Sequence, residues 1–165
     1  MRHLPALDGL RGISILAVLA YHSGLLPGGF VGVDLFFALS GFLITRLLVA
    51  EHEQMGRIRL LDFWARRALR LLPALGAAVG LAVVVSRAIE MPLEPLWIAA
   101  TLLYAGNLLI GYGHVYPIGL LSHGWSLGME EQFYLVWPLL VALAMRWGVR
   151  GVGLVAAALS LGPAI

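Results

Sequence analysis

Long runs with almost no charge, parted by short polar breaks, constrain this chain more than any other feature. Apolar residues dominate 10–26, 30–50, 71–85, 96–110, 133–145 and 151–165. A helix needs about 20 apolar residues to cross hydrocarbon, and these runs are near or somewhat below that length. Inside lipid, a spanning segment must satisfy its own backbone hydrogen bonds, so helices are expected. The fold class read from this pattern is all-α, a polytopic transmembrane helix bundle with five to six helices present. There is no internal repeat and no low-complexity tract.

Composition narrows the chemistry. Hydrophobic residues make up 61% of the chain and charged residues 12%, against roughly 25% charged in an average soluble domain. Cysteine is absent, which excludes a disulfide framework, a thiolate nucleophile and a thiolate metal site. All 11 basic residues are arginine, which excludes a lysine Schiff base and a P-loop lysine. A formal charge of +2, with the arginines clustered, does not describe a nucleic-acid binder. The histidines have no short-spaced partner, so no metal site is expected. Asp8 and Arg11 interrupt the start of the chain, which argues against a cleavable signal peptide.

Arginine placement gives an orientation. Arg46, Arg57, Arg59, Arg66, Arg67 and Arg70 gather at the end of the second run and in the break after it, and the first break holds none. Positive charge favours the cytoplasm. A cytoplasmic N-terminus and 51–70 segment are expected, in a multi-pass protein of the inner (plasma) membrane, with His22 towards the outer half of the first helix. Arg146 and Arg150 fit this simple count less well. The 111–132 stretch is no clear span and could be re-entrant. The last run stops at Gly162-Pro163-Ala164-Ile165 with no polar flank. That suggests a chain cut inside its bundle, residues 1–165 being the N-terminal part of a longer domain.

Arg11 and His22 share the first run. Eleven positions are close to three helical turns, so both side chains lie on one face, about 16 Å apart along the axis. Ionisable groups inside a membrane cost several kcal/mol and are usually aimed at something. His22 could be a general base or a nucleophile, or an interfacial histidine bonded to a neighbour. Arg11 could hold an anion or stabilise developing negative charge, or pair with Asp8, Asp34 or Glu130. Asp34, at the outer start of the second helix, could orient His22 or favour the helix dipole. Ser40 and Gly41 could permit close packing or line a channel. Glu130 and Glu131 precede an apolar run, as first-turn acids do. Adjacent residues point about 100° apart, so one of the two is expected to face the bundle. His123 and His114 are expected in a loop. Trp97, Trp125, Trp137 and Trp147 fit an interfacial belt.

Four segments then combine in order: Pro5-Ala6-Leu7-Asp8-Gly9-Leu10-Arg11-Gly12 leading to His22; Gly32-Val33-Asp34-Leu35-Phe36-Phe37-Ala38-Leu39-Ser40-Gly41-Phe42-Leu43-Ile44-Thr45; Phe63-Trp64-Ala65-Arg66-Arg67-Ala68-Leu69-Arg70-Leu71-Leu72-Pro73; and His123-Gly124-Trp125-Ser126-Leu127-Gly128-Met129-Glu130-Glu131-Gln132-Phe133-Tyr134-Leu135-Val136-Trp137-Pro138. Together they closely resemble the membrane acyltransferase 3 family, over the front half of a domain of about ten membrane helices. The resemblance implies transfer of an acyl group, often acetyl, from a cytoplasmic donor such as acyl-CoA. The acceptor would be a hydroxyl of a polysaccharide, peptidoglycan, glycolipid or small molecule. It implies no bound cofactor, a catalytic His22 with Arg11, and Glu130 as the more important glutamate. Arg66, Arg67 and Arg70 would then suit the phosphates of the donor, since arginine binds phosphate bidentately. Without donor binding they would anchor the chain at lipid head groups. A reading from another class stays open: a non-catalytic membrane protein, transporter-like or an inactive remnant, with Arg11, His22 and Glu130 as a relay.

Overall fold

A computed structural model describes residues 4–112 and 119–160. Among these residues there is no strand, so the all-α expectation holds. The helices are α1 Pro5–His22, α2 Val31–Met55, α3 Leu60–Ala88, α4 Pro95–Leu102, α5 Gly106–Gly111, α6 Gly124–Ala144 and α7 Gly148–Ser160, with a 3-10 turn at Met145–Trp147 between the last two. Proline opens α1 and α4, where its missing N–H costs nothing and its fixed φ suits the first turn. Gly56 ends α2 in the left-handed conformation at φ 69°, as a helix C-terminus favours.

Helix ends and hydropathy ends do not coincide. The polar 51–70 break is mostly helical: 51–55 finish α2 and 60–70 begin α3. Hydrophobic runs mark what lipid touches, whereas backbone hydrogen bonding carries the helix past them. Pro73 and Pro138 likewise sit inside α3 and α6. The fourth run does the opposite. It breaks into α4 and α5 at a turn where Tyr104 takes φ 54°.

Among the described residues, three stretches are long and apolar enough to cross a membrane: Val31–Met55, Leu60–Ala88 and Gly124–Leu159. This is a helical membrane protein, as the apolar runs predict. Helix α1 carries Asp8 and Arg11, and the fourth run is cut in two by the Tyr104 turn.

The chain divides into two compact units, 59–137 and the remainder. In the first-and-last unit, α1 and α2 form an antiparallel hairpin. Ser14 is 1% exposed, and its hydroxyl donates to the Leu10 carbonyl at 2.8 Å. Gly32 lies opposite it: a Cβ there would stand 2.5 Å from the Ser14 carbonyl oxygen. A Cβ on Gly29 would likewise collide with the Ala17 carbonyl oxygen. Small residues thus let the two backbones touch, the usual basis of close helix packing in lipid. Ser40 is buried on the same helix, with Leu39, Ile44 and Leu48.

In the 59–137 unit, Leu75, Val79 and Ala82 of α3 pack with Leu121. Gly124 and Gly128, four apart on α6, receive the α4–α5 turn: a Cβ on Gly128 would be 2.8 Å from both the Tyr104 carbonyl oxygen and Asn107 Oδ1.

Candidate active site

The α1–α2 hairpin fixes a register for the first candidate residues. Gly29 meets Ala17 and Tyr21, Gly32 meets Ser14 and Val18, and the Arg11 guanidinium lies 4.8 Å over the Phe36 ring. Arg11 is thus half-buried by a cation–π contact. His22 is the last residue of α1, exposed, with its ring edge-on to Tyr21 at 5.3 Å. The predicted shared face of Arg11 and His22 survives, because α1 is one unbroken helix through both.

Asp34 does not fit its expected role beside His22. The register sets it level with the Arg11–Ser14 turn, roughly 14 Å below His22 at 1.5 Å per residue. It also stands two residues from Gly32 and two from Phe36, so it lies on the face of α2 turned away from α1, and it is exposed. Helical periodicity, which the hydropathy pattern alone did not resolve, is the reason. Its place in the first turn of α2 remains favourable to the helix dipole.

The second group lies within the 59–137 unit. Arg67 of α3 makes a two-pronged ion pair with Glu131 of α6: Nε donates to both carboxylate oxygens at 3.1 and 3.0 Å, and Nη2 donates to Oε1 at 2.6 Å. The same Nη2 is 3.7 Å from Glu130 Oε1. Tyr134, one turn on, donates its hydroxyl to that Glu130 oxygen at 2.5 Å. The Arg67 guanidinium lies 3.1 Å above the Tyr134 ring. Trp64 Nε1, one turn before Arg67, donates to the Tyr134 carbonyl at 3.0 Å. Both glutamates therefore converge on one arginine, where the 100° spacing predicts that one faces inward. A long arginine side chain approaching between them reaches both. Of the three arginines expected to act together, Arg67 turns into this cluster, while Arg66 and Arg70 are exposed.

The cluster forms the polar end of a cavity of about 290 Å³. Trp64, Arg67, Leu71, Tyr104, Glu131 and Leu135 are among its walls. Gln132 closes the side near the α4–α5 turn. Its Nε2 donates to the Tyr104 carbonyl at 2.9 Å and to Asn107 Oδ1 at 3.0 Å, and its Oε1 accepts from Asn107 Nδ2 at 2.9 Å. Tyr104 lies outside the three spans. Burial, and then the nearby Glu131 carboxylate, raise its phenol above the ordinary 10, against a smaller lowering by Arg67. At neutral pH the phenol keeps its proton and remains a hydrogen-bond donor. An apolar hollow with a charged rim and a phenol donor suits a ligand with an apolar body and a polar head.

Sequence reading did not single out Trp64, Tyr104, Asn107 or Tyr134. Only the four-residue spacing of Glu130 and Tyr134, which puts them on one helix face, was available as a signal. His123 is exposed at the turn before α6, where its carbonyl accepts the Ser126 hydroxyl at 3.1 Å. His114 lies outside the described residues. Among the described residues, no group of three or more histidines or acids is placed to hold a metal ion.

Comparison with known proteins agrees with the motif reading. A family model described as an acyltransferase domain, of the acyltransferase 3 type, matches residues 4–164. The O-acetyltransferase OatA of Staphylococcus aureus (strain NCTC 8325 / PS 47) is 37% identical over 158 residues, covering 88% of this chain and 26% of OatA. The SACOL0978 protein of S. aureus (strain COL), provisionally named an O-acetyltransferase, is 40% identical over 151 residues, covering 86% of this chain and 25% of that protein. The chain thus spans about a quarter of the length of these curated relatives. No solved structure matches.

Proposed function

Because the chain belongs to the acyltransferase 3 family, we propose that the protein works as an integral membrane O-acyltransferase. It moves an acyl group, acetyl in the simplest case, from a cytoplasmic donor such as acyl-CoA to a hydroxyl. The acceptor is a carbohydrate, a cell-surface polymer or a small molecule. The observation that carries this reading is the match over residues 4–164. The OatA relative, named an O-acetyltransferase, supports acetyl as the group and oxygen as its destination.

His22 takes the acceptor hydroxyl's proton as the oxygen attacks the thioester carbonyl, and returns a proton to the departing thiolate. Arg11, held on Phe36 and about 16 Å from His22 along α1, holds an anionic group of a substrate and not the reacting carbonyl. Glu130, fixed by Tyr134, is a carboxylate for handling protons. Arg66 and Arg70, exposed at the start of α3, hold the donor's phosphates. This places the 51–70 segment and the N-terminus on the cytoplasmic side of the plasma membrane, as the arginine count favours.

The test is thioester consumption. Membranes carrying the protein are given acetyl-CoA labelled in the acetyl group, with a carbohydrate acceptor. Label on the acceptor, matched mole for mole by free CoA, is the expected result. Solute flux without CoA release, from protein inserted in the membrane, would replace this reading with the transporter-like one.

A further inference from the structure

Arg67 sits in an arginine-rich turn but behaves differently from its neighbours. Its side chain is 22% exposed, and those of Glu130 and Glu131 are 14% and 13% exposed. Two of its three nitrogens already donate to Glu131. One of its faces rests on Tyr134. The three side chains together hold one positive and two negative formal charges. A phosphate brought there would meet a net negative site, and like charges close together repel. Arg66 and Arg70, on either side in sequence and exposed, carry no such pairing among the described contacts.

We propose that Arg67 is a positioning residue that locks α3 to α6 and fixes Glu130 through Tyr134, and is not a ligand of the donor's phosphates. The lock has three contacts within two turns of each helix. Trp64 grips the Tyr134 carbonyl, Arg67 covers the Tyr134 ring, and Arg67 grips Glu131. A Tyr134 held at its ring and its backbone presents its hydroxyl to Glu130 in one direction. The inference rests on the acyltransferase reading only for its donor.

The experiment has two arms. In the first, CoA is titrated onto the purified full-length protein in nanodiscs. Arg67→Ala should bind CoA within about threefold of the unchanged protein, while Arg66→Ala with Arg70→Ala weakens binding tenfold or more. In turnover, Arg67→Ala and Glu131→Ala should both lower kcat and leave the donor KM within about threefold. A tenfold loss of CoA affinity in Arg67→Ala, with Glu131→Ala unaffected, overturns the proposal.

In the second arm, thermal unfolding is followed for Arg67→Ala, Glu131→Ala and the double variant. The double should lose no more than the worse single, since removing either partner breaks the same pair. Simple addition of the two losses overturns the lock. Should Arg67→Ala not fold, Arg67→Lys replaces it in both arms, because lysine keeps the charge and loses the two-pronged geometry. If the unchanged protein binds no CoA, the donor assignment fails, and the unfolding arm still decides the pair.

Discussion

Arg67 and Glu131 are 64 residues apart in the chain and share a two-pronged ion pair, with Nη2 to Oε1 at 2.6 Å. The pair joins the arginine-rich stretch of α3 to the acidic pair in the second and third turns of α6. It converts two separate motifs into one site beside a cavity. Neither motif contains the pairing, and the first-turn position expected for Glu130 and Glu131 is not what the structure shows, because α6 begins at Gly124 and carries both past its first turn.

His22 is expected to be indispensable. His22→Ala should cut acyl transfer by about 100-fold or more, the usual worth of a positioned acid–base group. Membrane insertion should be unchanged, because the residue is exposed at the end of α1. Insertion is read by alkaline extraction of membranes and transfer by labelled acetyl. Transfer at the normal rate would remove His22 from the mechanism.

Donor recognition should depend on the exposed arginines. Arg66→Ala with Arg70→Ala should raise the donor KM by about 10-fold or more, since a hydrogen bond to a charged group is worth about 1.5–3 kcal/mol. The acceptor KM should move far less. Equal change in both constants would favour the lipid-anchor role.

The α1–α2 contact should not tolerate a side chain at Gly32. A Cβ there stands 2.5 Å from the Ser14 carbonyl oxygen, so Gly32→Val forces the helices apart, at a cost of about 1–3 kcal/mol for overpacking. A thermal shift assay in detergent checks it: a drop of several degrees is expected. An unchanged melting temperature would mean that the hairpin is packed differently.

Thr101 offers the opposite result. Its Oγ1 is buried with no hydrogen-bond partner among the described residues. Burying an unmade hydroxyl costs about 1–3 kcal/mol. Thr101→Val, of nearly the same shape, should therefore melt at the same temperature or higher. Clear destabilisation in the same assay would show that the hydroxyl is satisfied in the membrane.

Topology can be read with a single introduced thiol, since these 165 residues hold no cysteine, once any cysteine elsewhere in the full-length protein is replaced. Arg57→Cys places one thiol in the exposed α2–α3 turn. An impermeant maleimide should label it in inside-out vesicles and not in intact cells. Labelling of intact cells would invert the proposed orientation.

The sequence by itself determined the helical class, the membrane setting and the residue types of the candidate site. Those follow from local properties: apolar run length, the need to satisfy backbone hydrogen bonds in lipid, and the one-face spacing of Arg11 and His22. The motif order was equally legible, and it carried the family. Tertiary structure decided what those properties leave free. It split the fourth run at Tyr104, because a turn conformation is fixed by what packs against it, here Gly128 and Gln132 of α6. It turned Asp34 away from α1, because the Gly29–Gly32–Phe36 face took that contact. And it gave Arg67 to Glu131 while leaving Arg66 and Arg70 in the open. Three arginines within one helical turn or so look alike in a sequence; only the position of the partner helix separates the one that binds the protein from the two that face outward.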